Sequence, residues 1–319
     1  MRNTSRLPCP FFSPLVFSLL LSASSIEAAG ATLEAALLNI KQIHPAYRSD
    51  YRGREAINLS GLAQFENTVF ALGDKPADQC LYALQEEERY WRIDGCVSLE
   101  IDGRADLEGV FAVGREFFLV NEAGQDVYRF LFSGRSASKE PLRIRFPWVA
   151  ATALWRNAGL EGVAYDARQH LLYLAKERDP SVIYVFELDE EGQATYLREF
   201  SIEPAADAHP HQSISDLFFA DGFLYALERR AYSIAKVNPR TGAVVSRASF
   251  AQLRDASGAL YLDDKGYGLA EAMLLLEKEI LLGIDNNGKI TNPKNKWVKQ
   301  FSLSGDESSI IRLRRPVDF

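Results

Sequence analysis

The fold is decided by the stretch Gly159-Leu160-Glu161-Gly162-Val163-Ala164-Tyr165, followed by His170-Leu171-Leu172-Tyr173-Leu174-Ala175-Lys176-Glu177. It contains two short apolar runs rich in β-forming residues, with a polar turn between them, and this pattern predicts a β-hairpin. Glu161 opens the first strand and Glu177 closes the second. Because those two ends lie side by side in an antiparallel pair, we expect both acids at the same end of the hairpin.

The same pattern recurs along the chain from residue 57 to about residue 315. The paired runs are 59–63 with 69–74, 107–111 with 117–122, 159–165 with 170–177, 215–219 with 223–228, and 269–273 with 280–285. They repeat about every 50 residues, and further strand-like runs such as 181–188 and 194–202 follow each pair. Four antiparallel strands at this period are typical of a β-propeller blade. We predict an all-β propeller of five four-stranded blades, or of six if the amino-terminal segment contributes strands.

The first 30 residues have the pattern of a signal peptide. Arg2 and Arg6 precede an apolar run, 11–21, that is too short to span a bilayer, and small residues follow up to Ala31. We therefore divide the chain into a signal peptide (1–30), an amino-terminal connector (31–56) and a propeller domain (57–319). The alternative is an uncleaved membrane anchor.

Composition limits the classes of function. The chain is 47% hydrophobic and 25% charged, as in soluble globular proteins. Its net charge of −7 gives no basic surface for nucleic acid. We expect a periplasmic or secreted monomer with no stable membrane insertion after the signal is removed.

Two shorter segments are predicted less specifically. Residues 32–43 suit either a short helix or an edge strand. Cys80 and Cys96 flank two strand-like runs that fold about Glu88, which places the two cysteines opposite each other. An oxidising compartment would allow a disulfide between them, and the alternative is two small buried apolar side chains.

The repeats bring acidic residues to one mouth of the propeller. If the first strand of each repeat lines the central channel, one ring of positions is Ser60, Glu108, Glu161, Asp216 and Glu271. The ends of the adjacent strands form a second ring, Asp74, Glu122, Glu177, Glu228 and Asp285. Nine of these ten residues are acidic, although the whole chain of 319 residues has only 43 acids.

Converging carboxylates repel each other unless a cation lies between them. Oxygen ligands without sulfur select Ca²⁺ or Mg²⁺, and the loose geometry of Ca²⁺ suits side chains that arrive from different blades. We predict a calcium site with ligands from Glu108, Glu161, Asp216, Glu271, Glu122, Glu177, Glu228 and Asp285. The alternative is that these acids form ion pairs with Lys75, Lys176, Arg229 and Arg230.

Three segments also resemble the SdiA-regulated and phytase-like esterase families of exported propellers. They are Asp106-Leu107-Glu108-Gly109, residues 159–166 with 172–177, and residues 267–272 with 285–288. The resemblance covers residues 57–315 and implies a propeller with a calcium site on its axis, related to NHL-type repeats. Ser60 departs from the acidic pattern.

Two functions follow as hypotheses. In the first, Ca²⁺ in the acidic mouth binds and polarises a small-molecule phosphoester, and His209 or His211 moves protons. In the second, the cation joins the blades and the top face binds a protein or an extended ligand without catalysis. Because the sequence has no Gly-x-Ser-x-Gly elbow and no recognisable nucleophile, it names no catalytic residue.

Overall fold

The computed structural model describes residues 30–44, 57–74, 79–101, 104–133, 141–147, 155, 158–205, 213–256, 258–262 and 270–319. These ranges are mostly β-strand. Their helical elements are α1 (Lys296–Phe301) and the 3₁₀ turns Arg229–Ala231 and Ala251–Leu253. No described helix has the length and hydropathy of a membrane span.

The strands form antiparallel groups in which chain order is also spatial order. Two sheets have four strands each. The first contains β7 (Leu107–Val113), β8 (Glu116–Asn121), β9 (Asp126–Leu131) and β10 (Leu142–Arg143). The second contains β11 (Leu160–Asp166), β12 (Leu171–Lys176), β13 (Val182–Leu188) and β14 (Ala194–Phe200).

The two remaining sheets are extended by strands from the amino terminus. A five-stranded sheet contains β15 (Ile214–Ala220), β16 (Phe223–Glu228), β17 (Ser233–Val237) and β18 (Val244–Ser249), with β1 (Ala31–Glu34) parallel to β18 at the edge. An eight-stranded sheet contains β19 (Ala270–Leu275), β20 (Glu279–Ile284), β21 (Ser309–Arg314), β2 (Leu37–His44), β6 (Tyr90–Ser98), β5 (Cys80–Glu86), β4 (Thr68–Gly73) and β3 (Leu59–Phe65), in that order.

The amino-terminal segment closes the ring of sheets. Within the predicted connector, residues 31–34 form β1 and residues 37–44 form β2, so the segment 32–43 consists of strands and not of a helix. β2 pairs antiparallel with β21, near the carboxyl terminus, and parallel with β6 over the short match Gln42–His44 to Tyr90–Arg92. The eight-stranded sheet is therefore two four-stranded groups joined by this short parallel match.

The innermost strands of the groups line the centre. β3, β7, β11, β15 and β19 each contact the next in chain order, and β19 contacts β3. Because each of these strands packs between neighbouring sheets, its residues are apolar on both faces, and every residue of β11 is buried. The chain is a β-propeller.

Each innermost strand begins with a β-bulge. In β11, Leu160 pairs with Lys176 and Gly162 pairs with Ala175, so Glu161 is the extra residue. The glycines that follow the bulged acids permit close contact between neighbouring strands. A Cβ on Gly109 would lie 2.3 Å from the carbonyl oxygen of Glu161, and one on Gly162 would lie 2.7 Å from the amide nitrogen of Leu217.

A disulfide joins Cys80 and Cys96, whose Cα atoms are 5.7 Å apart. The predicted bond is present, but the predicted register is wrong. Cys80 pairs with Ser98 and Cys96 pairs with Tyr82, because Glu86 pairs with Trp91 rather than Tyr90 next to the turn and the register shifts once more between Ala83 and Leu84. The cysteines are therefore diagonal neighbours on one face of the β5–β6 ladder.

We predict that Gly162→Ala lowers the free energy of unfolding by about 1–3 kcal/mol, because the methyl group would press against the backbone of Asp216 and Leu217. Urea denaturation measures the change. Gly95→Ala is the matched control, since a Cβ at Gly95 meets nothing within 4 Å. A Gly162→Ala variant as stable as Gly95→Ala would contradict this account of strand packing.

Candidate cation site

The bulges define which residues are equivalent at the mouth of the channel. Ser60 and Glu271 occupy the same bulged position as Glu161, and Glu108 lies in the wider bulge between Leu107 and Val110. In β15 the bulged residue is Ser215, because Ile214 pairs with Glu228 and Asp216 pairs with Leu227. The inner ring is therefore Ser60, Glu108, Glu161, Ser215 and Glu271.

Asp216, which the sequence placed in the inner ring, lies one residue after the ring position. It corresponds to Gly162 and is fully buried. Its carboxylate accepts hydrogen bonds from the backbone N–H groups of Leu217, at 2.8 Å, and Met273, at 2.7 Å. Burial raises the pKa of Asp216 well above its usual value, although these two hydrogen bonds oppose the shift. The side chain joins β15 to β19.

In the outer ring, the predicted residue of the β15–β16 repeat is also one position away from the one that the strand pairing gives. In each repeat, the residue just before the bulge pairs with the last residue of the second strand, and the outer-ring residue comes directly after that partner. The outer-ring residues are Asp74, Glu122, Glu177, Arg229 and Asp285. Glu228 precedes this position. Its carboxylate instead accepts hydrogen bonds from Arg247 Nε, at 2.8 Å, and Ser233 Oγ, at 2.9 Å.

The β15–β16 repeat thus has Ser215 where three other repeats have a glutamate, and Arg229 where all four others have an acid. The two ring serines share one role. Ser60 Oγ donates to the carbonyl of Leu107 at 2.5 Å, and Ser215 Oγ donates to the carbonyl of Ala270 at 3.0 Å. Each hydroxyl thereby ties its strand to the residue just before the ring glutamate of the next strand.

One part of the mouth is a cluster of acids, which we call the open half: Asp74, Asp106, Glu108, Glu122 and Glu161. Carboxylate oxygens of Asp106, Glu108 and Glu122 lie within 4.8 Å of one another. Sequence reasoning missed Asp106, although it stands two residues before Glu108 in the family motif. Glu161 is 8% exposed, and its carboxylate has neither a hydrogen bond nor an ion pair with the described residues.

The ionised state of the open-half carboxylates is unfavourable unless a cation lies beside them. Burial raises the pKa of Glu108 well above its usual range, and the nearby Asp74 and Glu122 carboxylates raise it further. Burial and then Glu108 raise the pKa of Glu161 in the same way, and the Arg229 guanidinium opposes this shift. Burial also raises the pKa of Glu122, against the hydrogen bond that its Oε1 accepts from the Gly159 N–H at 3.0 Å.

The other part of the mouth contains its own cations, and we call it the paired half: Glu177, Glu271, Arg178 and Arg229. The Arg229 guanidinium forms ion pairs with Glu177 and Glu271, and Arg178 forms an ion pair with Glu177. Burial would lower the pKa of Arg229, but the Glu271 and Glu161 carboxylates outweigh that effect and raise it.

Asp285 has a separate local contact. Its Oδ1 accepts a hydrogen bond from the Asn287 N–H at 2.8 Å, within the turn that follows β20. Lys176, which the sequence offered as a partner for the acids, donates instead to the carbonyls of Arg178 and Pro180.

Comparison with known proteins assigns the family. The model for the SdiA-regulated family matches residues 54–260. The chain belongs to the SdiA-regulated family. No curated protein matches it by sequence.

The fold of this SdiA-regulated chain is supported by one solved structure with a TM-score above 0.5, and two others are similar at lower scores. A Myxococcus xanthus glutaminyl cyclase superposes with a TM-score of 0.55 at 12% identity, covering 89% of this chain and 98% of the cyclase. A Streptomyces coelicolor PQQ-bound aldose sugar dehydrogenase has a TM-score of 0.41 at 12% identity, with 87% and 98% covered. A streptogramin B lyase has a TM-score of 0.44 at 10% identity, with 82% and 95% covered. At these identities the likeness concerns the fold alone.

Several predicted features lie outside the described residues. They are the signal peptide apart from Gly30, residues 45–56 of the connector, Lys75, and the pair His209 and His211.

We predict that the metal-free SdiA-regulated protein loses stability as the pH rises above about 4.3, the usual glutamate value. The raised pKa values of Glu108 and Glu161 mean that the folded state holds protons that the unfolded state has released, so unfolding is favoured at higher pH. Thermal unfolding in EDTA from pH 4.5 to 8 measures the slope.

Glu108→Gln should make this slope shallower, because the amide does not titrate. Glu187→Gln is the control, since Glu187 is exposed and lies at the opposite end of the β11–β14 sheet. Equal slopes in wild type and Glu108→Gln would contradict the prediction.

Proposed function

We propose that this protein is an exported, calcium-binding β-propeller of five blades, with the cation held in the open half of the channel mouth. The observation that carries the proposal is Glu161, a residue that is more than nine-tenths buried and whose carboxylate has no hydrogen bond with the described residues, while the nearby charge of Glu108 raises its pKa. Such a group is costly to bury alone. The blade count rests on the cycle of innermost strands, β3, β7, β11, β15 and β19.

The donor set fits Ca²⁺. Asp106, Glu108 and Glu122 offer clustered oxygens, and Glu161 adds a fourth carboxylate from the neighbouring sheet. Hard oxygen donors favour Ca²⁺ and Mg²⁺, and Ca²⁺ tolerates the irregular geometry that side chains from separate strands provide. A bound ion would cancel the repulsion within the open half and join β7 to β11.

Calorimetric titration of Ca²⁺ into chelator-treated protein tests the proposal. We expect saturable binding, with a rise in unfolding free energy of about 2.7 kcal/mol when free Ca²⁺ is 100 times Kd. Glu161→Gln should weaken binding at least tenfold, because it removes a buried anionic ligand. Glu187→Gln should leave the affinity unchanged. Absence of binding at millimolar Ca²⁺ would refute the proposal.

Phosphoester hydrolysis is the second candidate. The open half is accessible in part, since the Asp106 side chain retains 26% of its exposure, and a bound cation there would meet a substrate from the channel mouth. Against it, the guanidinium of Arg229 is held by Glu177 and Glu271 and is not free to bind a phosphate. We therefore favour the non-catalytic propeller, with calcium joining the blades and the top face binding a protein or an extended ligand.

A chromogenic phosphomonoester and a phosphodiester, each assayed with Ca²⁺ and with EDTA, separate the two candidates. Turnover that requires Ca²⁺ and is lost in Glu161→Gln would replace the non-catalytic proposal. Calcium binding without turnover would support it. We further propose a periplasmic or secreted monomer, which cell fractionation and size-exclusion chromatography can check.

A further inference from the structure

We propose that Arg229 is a built-in cation that fills the paired half of the mouth, so that the propeller binds one metal ion, off its axis, in the open half. This inference rests on the proposed calcium site and specifies its location and stoichiometry. It assigns Arg229 a role in deciding how many cations bind.

The geometry of Arg229 leaves its guanidinium fully engaged. Arg229 begins the 3₁₀ turn that follows β16, and its side chain enters the mouth from there. Its Nη1 pairs with Glu271 and its Nη2 with Glu177, while its Nε donates to Ser213 Oγ at 2.9 Å. Ser213 Oγ in turn donates to Glu177 Oε1 at 3.1 Å, which closes the network.

Arg229 stands where a ring acid stands in the other repeats. Ile214 pairs with Glu228, just as Leu160 pairs with Lys176, so Arg229 is the counterpart of Glu177. Four outer-ring positions are acidic and this one is basic. The arginine reverses the charge at this one ring position and places a cation against Glu177 and Glu271.

The two halves therefore differ in charge balance. In the paired half, the side chain of Glu177 is 0% exposed and lies between Arg229 and Arg178, and Glu271 pairs with Arg229. In the open half, Asp106 forms an ion pair with Arg104, at 3.8 Å, and the Arg104 side chain is 76% exposed. An exposed pair of this kind contributes little.

A metal ion and a guanidinium compete for the same carboxylates. A second ion beside Glu177 and Glu271 would have to displace Arg229 and would be repelled by it. The open half offers an ion the unpartnered, buried Glu161 together with the Asp106, Glu108 and Glu122 oxygens. The paired half is therefore closed to a metal ion, and the open half is available to one.

Two variants at equivalent outer-ring positions test the location by calorimetric titration with Ca²⁺. Glu122→Gln should weaken Ca²⁺ binding at least tenfold, because it removes an open-half ligand. Glu177→Gln should change Kd by less than about threefold, because Glu177 is neutralised by arginine. Equal losses in both variants, or a greater loss in Glu177→Gln, would overturn the inference and leave the calcium site itself intact.

Stoichiometry tests the role of Arg229. Wild type should bind one Ca²⁺ per chain, and Arg229→Gln should bind two because it frees Glu271 and leaves Glu177 with Arg178 as its remaining ion-pair partner. Arg229→Lys, which keeps the charge, should still bind one. A single site in Arg229→Gln with the wild-type Kd would refute the inference, as would two sites in wild type.

Circular dichroism identifies a variant that does not fold. If Arg229→Gln fails to fold, the comparison of Glu122→Gln with Glu177→Gln still decides the location. If wild type binds no Ca²⁺ at all, the proposed function fails before this inference is reached.

Discussion

Close backbone contact between the innermost strands is the constraint on which the site depends. At the centre of the propeller, Gly109 lies against the carbonyl of Glu161, and Gly162 lies against the backbone of Asp216 and Leu217. Any side chain at these glycines would hold the strands apart. Because each glycine directly follows a bulged glutamate, the same contact that packs the sheets also brings Glu108 and Glu161 together.

This packing brings carboxylates close enough to repel one another, and the two halves of the mouth differ in what compensates for the repulsion. Carboxylates that are buried near one another are unfavourable unless each has a partner. In the paired half, Arg229 and Arg178 supply the compensating charge from within the chain. In the open half, the Glu161 carboxylate has no hydrogen bond or ion pair with the described residues although the charge of Arg229 acts on it, and a bound cation would supply a direct partner.

Much of this arrangement could be predicted from local patterns. Repeated hairpins indicated a propeller, and the spacing of Cys80 and Cys96 indicated the disulfide. The errors were errors of register. Apolar runs show where strands lie, but a β-bulge adds one residue without changing the apolar pattern. The error in the fourth repeat had another cause: Asp216 and Glu228 are its acidic residues, so the acidic pattern favoured them over Ser215 and Arg229, which the strand pairing places in the rings.

The sequence by itself determined the four-stranded repeat and the position of Glu161 and Glu177 at one end of their hairpin, since strand pairing across a short turn is a local property. The tertiary structure alone decided three other features. It placed Arg229 between Glu177 and Glu271, brought Asp106 beside Glu108, and used β2 to complete the sheet of the carboxyl-terminal strands. These features depend on contacts between residues far apart in the chain, and such contacts are defined only when the ring of sheets closes.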